Sequence, residues 1–342
     1  MIDVAILGAT GMIGQRFVSL LDGHPWFRVK ELVASERSAG KTYGEAARWV
    51  LDAPIPAWAR DMPVRRSSDD LDADVCFSAI PGDIAGEVET TLAKRGHKVF
   101  SNARAHRWDA DVPLLVPEVN ADHAQLVRRQ GKDGFIVTNG NCSTIVLVMT
   151  LKPLVDAFGV DRVGVTTFQA VSGAGYPGVP SLDILGNVVP FIGGEEGKVE
   201  SEPLKMLGRL DARGVHPADI LVSATCVRVP VTEAHSMAVS VGLGRAATPQ
   251  EVAEALRDFR GRPQELKLPS APERPVHVFE QEDRPQPRRD WSLERAMAVS
   301  VGRIRKDPLF TVKYFASGSN TVRGAAGSNV LGAELLKAEG LL

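Results

Sequence analysis

Val4-Ala5-Ile6-Leu7-Gly8-Ala9-Thr10-Gly11-Met12-Ile13-Gly14 decides the fold of the first half of this chain. Four apolar residues read as a buried strand, and glycines spaced G-x-x-G-x-x-G follow at once. Phe17, Val18, Leu20 and Leu21 then recur at helical spacing. Glycine lets the backbone turn sharply and approach a pyrophosphate, which sits where the N–H groups of a helix start are unpaired. An ordinary strand-to-helix turn would look similar in isolation. Its position directly after a strand favours dinucleotide binding, with Gly8, Thr10, Gly11, Met12 and Ile13 as contacts.

Further strands extend the pattern. Val29 to Ala34 is followed by Ser35-Glu36-Arg37-Ser38-Ala39-Gly40-Lys41. A site for NAD usually places an acid near the end of this strand to hold the ribose hydroxyls. Here Ser35, Arg37 and Ser38 suit a 2′-phosphate, so NADP is the expected cofactor; Glu36 would oppose it if its carboxylate turned inward, and a solvated charged loop is the plainer reading. Ala73 to Gly82 reads as a buried parallel strand with its terminal loop, Cys76 being core. Lys98 to Ala103 reads as another. Ligands of open α/β sheets bind at the carboxyl ends of the strands. That rule puts Ala79, Pro81, Ser101, Asn102 and Cys142 along one rim, with Arg107 near enough to serve an anionic substrate. Strands alternating with helical stretches make this half a doubly wound, Rossmann-like α/β domain.

Asn139-Gly140-Asn141-Cys142-Ser143-Thr144 precedes an apolar run, Ile145 to Val155, that reads as a buried helix beginning at the cysteine. A thiol at a helix start faces unpaired N–H groups, a field that favours the thiolate and so a nucleophile. The alternative is a small buried hydrophobe.

Beyond that helix the texture changes to long β-rich runs: Val163 to Val171, Ile220 to Val231 and Ala234 to Val241. They suggest a second domain of α+β type on an antiparallel or mixed sheet. Ala271 to Asp290, rich in prolines and charges, reads as an ordered surface excursion or linker. Asn320 to Ala326 opens a final helix through Leu336 whose small residues allow close packing on the first domain. The expected division is therefore residues 1–141 plus 320–342 for the nucleotide and 142–319 for catalysis and dimerisation. Within the second part, Gln169, Arg228 and His235 are individually weak signals for positioning, anion binding and proton transfer.

Composition limits the partners. The 342 residues are 44% hydrophobic and 24% charged, with a net charge of −2, which gives no reason to expect nucleic acid or an anionic membrane. Three cysteines without metal-type pairing argue for a reducing compartment and against a disulfide frame or a zinc site. Met1 leads straight into a strand, and the longest apolar run is far short of a bilayer span of about 20 residues. A cytoplasmic protein acting on small molecules, without a metal, is expected.

Taken together the residues resemble the aspartate-semialdehyde dehydrogenase family, in its archaeal and fungal branch. The resemblance is carried by Gly8 to Gly14, Ala34 to Ser38, Ser101-Asn102-Ala103, Val116 to Asn120, Asn141 to Thr144, Gln169 to Gly175, Glu233-Ala234-His235 and Ser319 to Gly324. It implies that Cys142 is the nucleophile, His235 the acid/base and Gln169 the residue that orients substrate beside the thiol. Arg228 would grip the substrate carboxylate, a bidentate task for a guanidinium. Glu202 would meet the substrate ammonium, and Lys205 and Arg107 would bind phosphate beside Asn102; Glu195, Glu196 and Lys198 offer a competing match for these positions. Ser172, Gly173, Asn320 and Thr321 join the cofactor contacts. The implied reaction is oxidation of aspartate semialdehyde to aspartyl phosphate through a Cys142 thioester. Its biosynthetic reverse uses NADPH and leads toward lysine, methionine and threonine, in a homodimer or homotetramer. A malonyl-CoA or related acyl-CoA reductase on the same scaffold, and a non-catalytic NADP-sensing protein, are the alternatives.

Overall fold

The computed structural model describes residues 1–66, 68–131 and 133–342. Strand β1 (Ile2–Leu7) sits inside a six-stranded parallel sheet with β2 (Phe27–Ala34), β3 (Val64–Arg66), β4 (Val75–Ser78), β5 (Lys98–Ser101) and β6 (Phe135–Thr138). The order is β3-β2-β1-β4-β5-β6, so the chain reverses direction of growth beside β1. A crevice opens at such a switch point, outside the ends of β1 and β4. Strands β3 and β6 complete the sheet beyond the strands read from sequence.

Between β1 and helix α1 (Met12–Leu20) the backbone makes the turn that the glycines permit. Gly8 has φ of +74°, and a Cβ there would lie 2.6 Å from the Ala79 carbonyl oxygen. Both the conformation and the close approach to the β4 loop require glycine. Helix α2 (Gly82–Lys94) follows β4.

Helix α3 (Cys142–Phe158) begins at the cysteine, as the sequence predicts, and Ser143 to Leu151 are all buried. A helix apolar on every side is one packed on every side, and this one shares a core with both sheets' surroundings: Ile145, Leu147 and Leu151 lie with Leu114, Val165, Val239 and Tyr314. It delivers the chain to β7 (Val160–Gln169). There follow α4 (Glu195–Met206), the small hairpin β8 (Arg209–Asp211) and β9 (Gly214–His216), then β10 (Leu221–Arg228), β11 (His235–Leu243) and α5 (Pro249–Asp258). The unit closes with β12 (Val276–Phe279), β13 (Val299–Lys306) and β14 (Val312–Gly318). The second sheet has the order β10-β7-β11-β14-β13-β12 and is mixed: β10–β7 and β12–β13 pair in parallel, and the other neighbours pair antiparallel. The excursion expected at 271–290 therefore contains the edge strand β12. Its four residues lie between proline-rich flanks that hide the pattern.

Edge strand β10 is covered by its own helix. Glu200 accepts from the Ala224 N–H at 3.0 Å and Glu196 from the Cys226 N–H at 3.1 Å. Carboxylates placed there satisfy N–H groups that would otherwise offer a pairing edge.

The chain's last helix, α6 (Gly327–Ala338), is preceded by a π-helical turn, Val322–Ala326. Val330, Leu331, Leu335 and Leu336 join Val4, Ile6, Phe17, Phe77 and Phe100 in one apolar cluster, so α6 packs on the first sheet. Arg323, in the π turn, is fully buried and forms a bidentate pair with Glu118 at 2.6 and 2.9 Å. Among the described residues no helix is long and apolar enough to cross a membrane.

Candidate active site

The switch-point crevice continues into the start of α3 and forms a cleft of about 370 Å³. Met12, Ile13, Ala79, Asn102, Arg107, Cys142, Ser172, Gly173, Asn320 and Thr321 line it, together with Ile80, Arg104, Asn141, Lys198 and Gly324. Ten residues singled out from sequence thus meet on one surface. Gly8, Thr10 and Gly11 form the turn beside it. Pro81 starts α2, and Ser35, Arg37 and Ser38 follow β2 in a loop with Ser35 and Arg37 exposed. Glu36, which could have opposed a 2′-phosphate, faces Arg66 instead at 3.2 Å.

Cys142 stands at the floor of the cleft. Asn141 caps its helix: Oδ1 accepts from the N–H groups of Ser143 and Thr144, each at 3.1 Å. The cap uses two of the N–H groups that the sequence placed at the helix start beside the thiol. Burial pushes the Cys142 thiol up to about 12, and the Glu195 carboxylate adds to the rise; the Ser143 N–H, Arg107 and Arg228 act in the opposite direction. Burial thus opposes the thiolate that the field of the helix start favours. Gly324 packs on this cysteine, leaving only 2.7 Å between a hypothetical Cβ and the Cys142 Cβ.

His235, Arg228 and Gln169 lie behind the turn Val171–Ala174 rather than on the cleft wall. Gly173 is the contact: a Cβ there would lie 2.7 Å from Arg228 Nη1 and 2.8 Å from His235 Cε1. Arg228 Nη1 donates to the Ala170 carbonyl at 2.7 Å. The Ala170 N–H donates to His235 Nδ1 at 3.1 Å, while Nε2 is buried without a partner among the described residues. A backbone N–H can only donate, so Nδ1 is an acceptor and the neutral ring carries its proton on Nε2. Burial, reinforced by Arg228, pushes the imidazole down to about 3, so it stays neutral at physiological pH. Of the acid/base role expected of His235, this tautomer presents the donor side.

The acidic and basic residues of α4 are arranged differently from the expectation. Glu202 is buried and spent, accepting from Arg107 Nη1 at 2.6 Å and from the Asn141 N–H at 2.7 Å. Lys205 Nζ donates to the carbonyls of Arg107, Asp109 and Val112 at 2.7, 3.0 and 3.1 Å. An ammonium has three donors, so none remains for phosphate; burial pushes Lys205 down to about 8. Lys205 here holds the loop that carries Arg107. Lys198, whose side chain is 28% exposed, is the lysine of α4 on the cleft.

Asn141 and Glu195 are among the residues of the site not chosen from sequence. Asn141 was visible only as a helix-capping type next to a cysteine. Glu195 was visible as half of the Glu195–Lys198 spacing that competed with Glu202–Lys205. Asn320 joins the two halves of the site, accepting from the Ala234 N–H at 3.0 Å and donating to Ser172 Oγ at 2.9 Å.

A parallel sheet with a glycine turn, joined through a cysteine-headed helix to a mixed sheet, defines a two-domain dehydrogenase of the semialdehyde dehydrogenase class. Residues 3–127 match the family described as semialdehyde dehydrogenase, NAD binding domain, and residues 151–323 match semialdehyde dehydrogenase, dimerisation domain. Aspartate-semialdehyde dehydrogenase of Methanothermobacter thermautotrophicus is 53% identical over 98% of this chain and 99% of its own. The Schizosaccharomyces pombe protein of that name is 45% identical over 99% of each. The crystal structure of aspartate semialdehyde dehydrogenase with NADP from Candida albicans superimposes with a TM-score of 0.93 at 40% identity, covering 100% of both chains. The chain belongs to the aspartate-semialdehyde dehydrogenase family.

Proposed function

We propose that this chain is an NADP-dependent aspartate-semialdehyde dehydrogenase that interconverts aspartyl phosphate and aspartate semialdehyde in amino-acid biosynthesis. The observation that carries the reading is Cys142 on the floor of a cleft whose other wall is the start of α1, after the glycine turn, and the β4 loop. A nucleophile and a dinucleotide site share one cavity. The close approach of Gly8 to Ala79 leaves a concave turn at the start of α1 that fits a pyrophosphate. Gly8, Thr10, Gly11, Met12, Ile13, Ala79 and Pro81 would hold the dinucleotide on one side and Ser172, Gly173, Asn320 and Thr321 on the other. Ser35, Arg37 and Ser38 would take the 2′-phosphate.

In the reductive direction Cys142 Sγ attacks the acyl carbon of aspartyl phosphate. The bond from that carbon to the phosphoryl oxygen breaks, and the leaving phosphate takes the thiol proton, giving a Cys142 thioester and hydrogen phosphate. When bound, NADPH would supply the hydride. His235 donates a hydrogen bond from Nε2–H to the oxygen on which charge develops, and the tetrahedral centre collapses to aldehyde and Cys142 thiolate, which takes a proton from solvent to restore the thiol. Arg228 and Gln169, behind the turn Val171–Ala174, would bind and orient the acyl group as the family resemblance implies, and Arg107 with Asn102, on the cleft wall, would face the phosphoryl end. Glu202 and Lys205 act by holding Arg107 and the helix start.

Functionally the chain divides into residues 1–141 with 320–342 and residues 142–319, a division supported by the packing of α6 on the first sheet. Leu182, Leu185, Val188, Phe191 and Leu221 are large apolar residues left more than half exposed, which supports a homo-oligomer built on the second unit. Three free cysteines fit a reducing, cytoplasmic setting. The test is NADPH oxidation with aspartyl phosphate against malonyl-CoA. Turnover of aspartyl phosphate is expected, and turnover of malonyl-CoA alone would refute the assignment.

A further inference from the structure

A closed ring of hydrogen bonds beside the cleft ties the dinucleotide half of the chain to the segment that carries His235. Arg16 Nη2 donates to Glu233 Oε1 at 2.9 Å, and Arg16 Nε donates to Thr321 Oγ1 at 3.1 Å. Thr321 Oγ1 in turn donates to Glu233 Oε2 at 3.2 Å. A hydroxyl has one hydrogen and spare lone pairs, so Thr321 takes one bond and gives the other. Both charged side chains are largely withdrawn from water, at 16% and 21% exposed. The Arg16 guanidinium also lies over the Trp291 ring, 5.6 Å from its centroid. A planar guanidinium stacked on an indole and bonded through two nitrogens is held in one place.

Each member of the ring stands where the site is built. Arg16 is one turn along α1 from Met12 and Ile13, which line the cleft, so the three share a face of that helix. Thr321 lines the cleft just before the π turn. Glu233 is two residues before His235. Between them Ala234 is buried with φ of +71°, a left-handed conformation that residues with a Cβ rarely adopt. Such a residue keeps its conformation only where the surroundings impose it. Here Asn320 Oδ1 takes the Ala234 N–H at 3.0 Å, and the ring holds Glu233 just before it. On the other side β11 begins, with His235 opposite Gly318. The direction of His235 is therefore set by a strained residue pinned at both ends.

We propose that Arg16 and Glu233 are positioning residues that fasten the strained turn before His235 to the dinucleotide helix, so that filling the glycine turn steadies the imidazole. The proposal rests on the reading of α1 as the NADP site and of His235 as the hydrogen-bond donor of the reaction. A pyrophosphate at the start of α1 would lie one helical turn from Arg16. A shift of α1 then reaches residue 233 through a rigid guanidinium. The hydroxyl hydrogen of Thr321 is committed to the ring, so this residue meets the cofactor as a wall and not as a donor.

If the two residues act as one link, breaking it twice costs no more than breaking it once. The kcat, the KM for aspartyl phosphate and the alkylatable fraction of Cys142 are measured for the wild type, Arg16→Met, Glu233→Met and the double variant. Each single variant is expected to lower kcat about tenfold and to leave KM within about twofold, since a misaimed donor costs turnover while the acyl end stays held. The double variant is expected to be no slower than the slower single one. A second measurement reads the coupling without turnover. 2′-Phospho-ADP-ribose has the pyrophosphate and no nicotinamide to touch the ring. Its binding is expected to shift the nitrogen resonances of His235 in the wild type and not in Arg16→Met. Unchanged kcat in either single variant, additive losses in the double one, no shift in the wild type, or the same shift in Arg16→Met would overturn the proposal. If one single variant does not fold, the kcat and the His235 shift of the other decide. A wild type that fails to turn over would refute the functional reading instead, and no variant is needed to see it.

Discussion

The Ala170 N–H donates to Nδ1 of His235 at 3.1 Å, and this one bond fixes the proton of the ring on Nε2. Nε2 has no hydrogen-bond partner among the described residues, so its hydrogen is unspent. A neutral donor suits the reductive direction, where the thiohemiacetal oxyanion needs a hydrogen bond and the expelled sulfur leaves as thiolate. With His235 labelled at nitrogen, NMR should show an unprotonated Nδ1 and a protonated Nε2 from pH 5 to 8. The sign follows from burial and Arg228, which push the imidazole down to about 3 and keep it neutral above that value. A ring that becomes doubly protonated near pH 6.5 would contradict the assignment.

Cysteine reactivity should separate access from acidity. Cys76 and Cys226 are fully buried, whereas Cys142 lines the cleft. Burial raises all three, Cys142 and Cys76 to about 12 and Cys226 to about 11. Iodoacetamide should therefore modify Cys142 first, at a rate that keeps rising with pH beyond 9, about tenfold per unit while the thiol form predominates. A plateau below pH 8 would restore the resting thiolate that the helix start alone suggests.

The nucleotide half was legible because its signals are local. Gly8 follows an apolar strand, and the strand–turn–helix order admits few other folds. Cys142 was legible as a helix start for the same reason. Orientation across space was not legible. Glu202-Pro203-Leu204-Lys205 names residue types, but nothing in that spacing says that the ammonium of Lys205 is consumed by three carbonyls of the loop 107–112. Nor could sequence show that Glu195, beside another glutamate, is the one turned inward while Glu196 caps the edge of β10. The tautomer of His235 depends on a backbone N–H that is 65 residues away along the chain.

Cofactor choice should rest on Arg37. With Glu36 held by Arg66, Arg37 is the cation of that loop for a 2′-phosphate. Arg37→Ala should raise the KM for NADPH roughly 10-fold or more, the loss of one hydrogen bond to a charged group, and change that for NADH little. Equal effects on both cofactors would place the 2′-phosphate elsewhere.

Stability should depend on the Arg323–Glu118 pair, since both side chains are fully buried. Arg323→Met leaves an unpaired carboxylate and should cost about 3–5 kcal/mol in urea unfolding. The double variant with Glu118→Gln should recover much of that loss. No recovery would mean that the pair matters for packing and not for charge.

The account turns on Cys142 carrying the acyl group. Mass spectrometry of the protein quenched in acid after mixing with aspartyl phosphate, without NADPH, tests this most directly. The expected result is one aspartyl adduct, located on the peptide containing Cys142, released by hydroxylamine and absent from Cys142→Ser. No adduct, or an adduct that persists in Cys142→Ser, would contradict it.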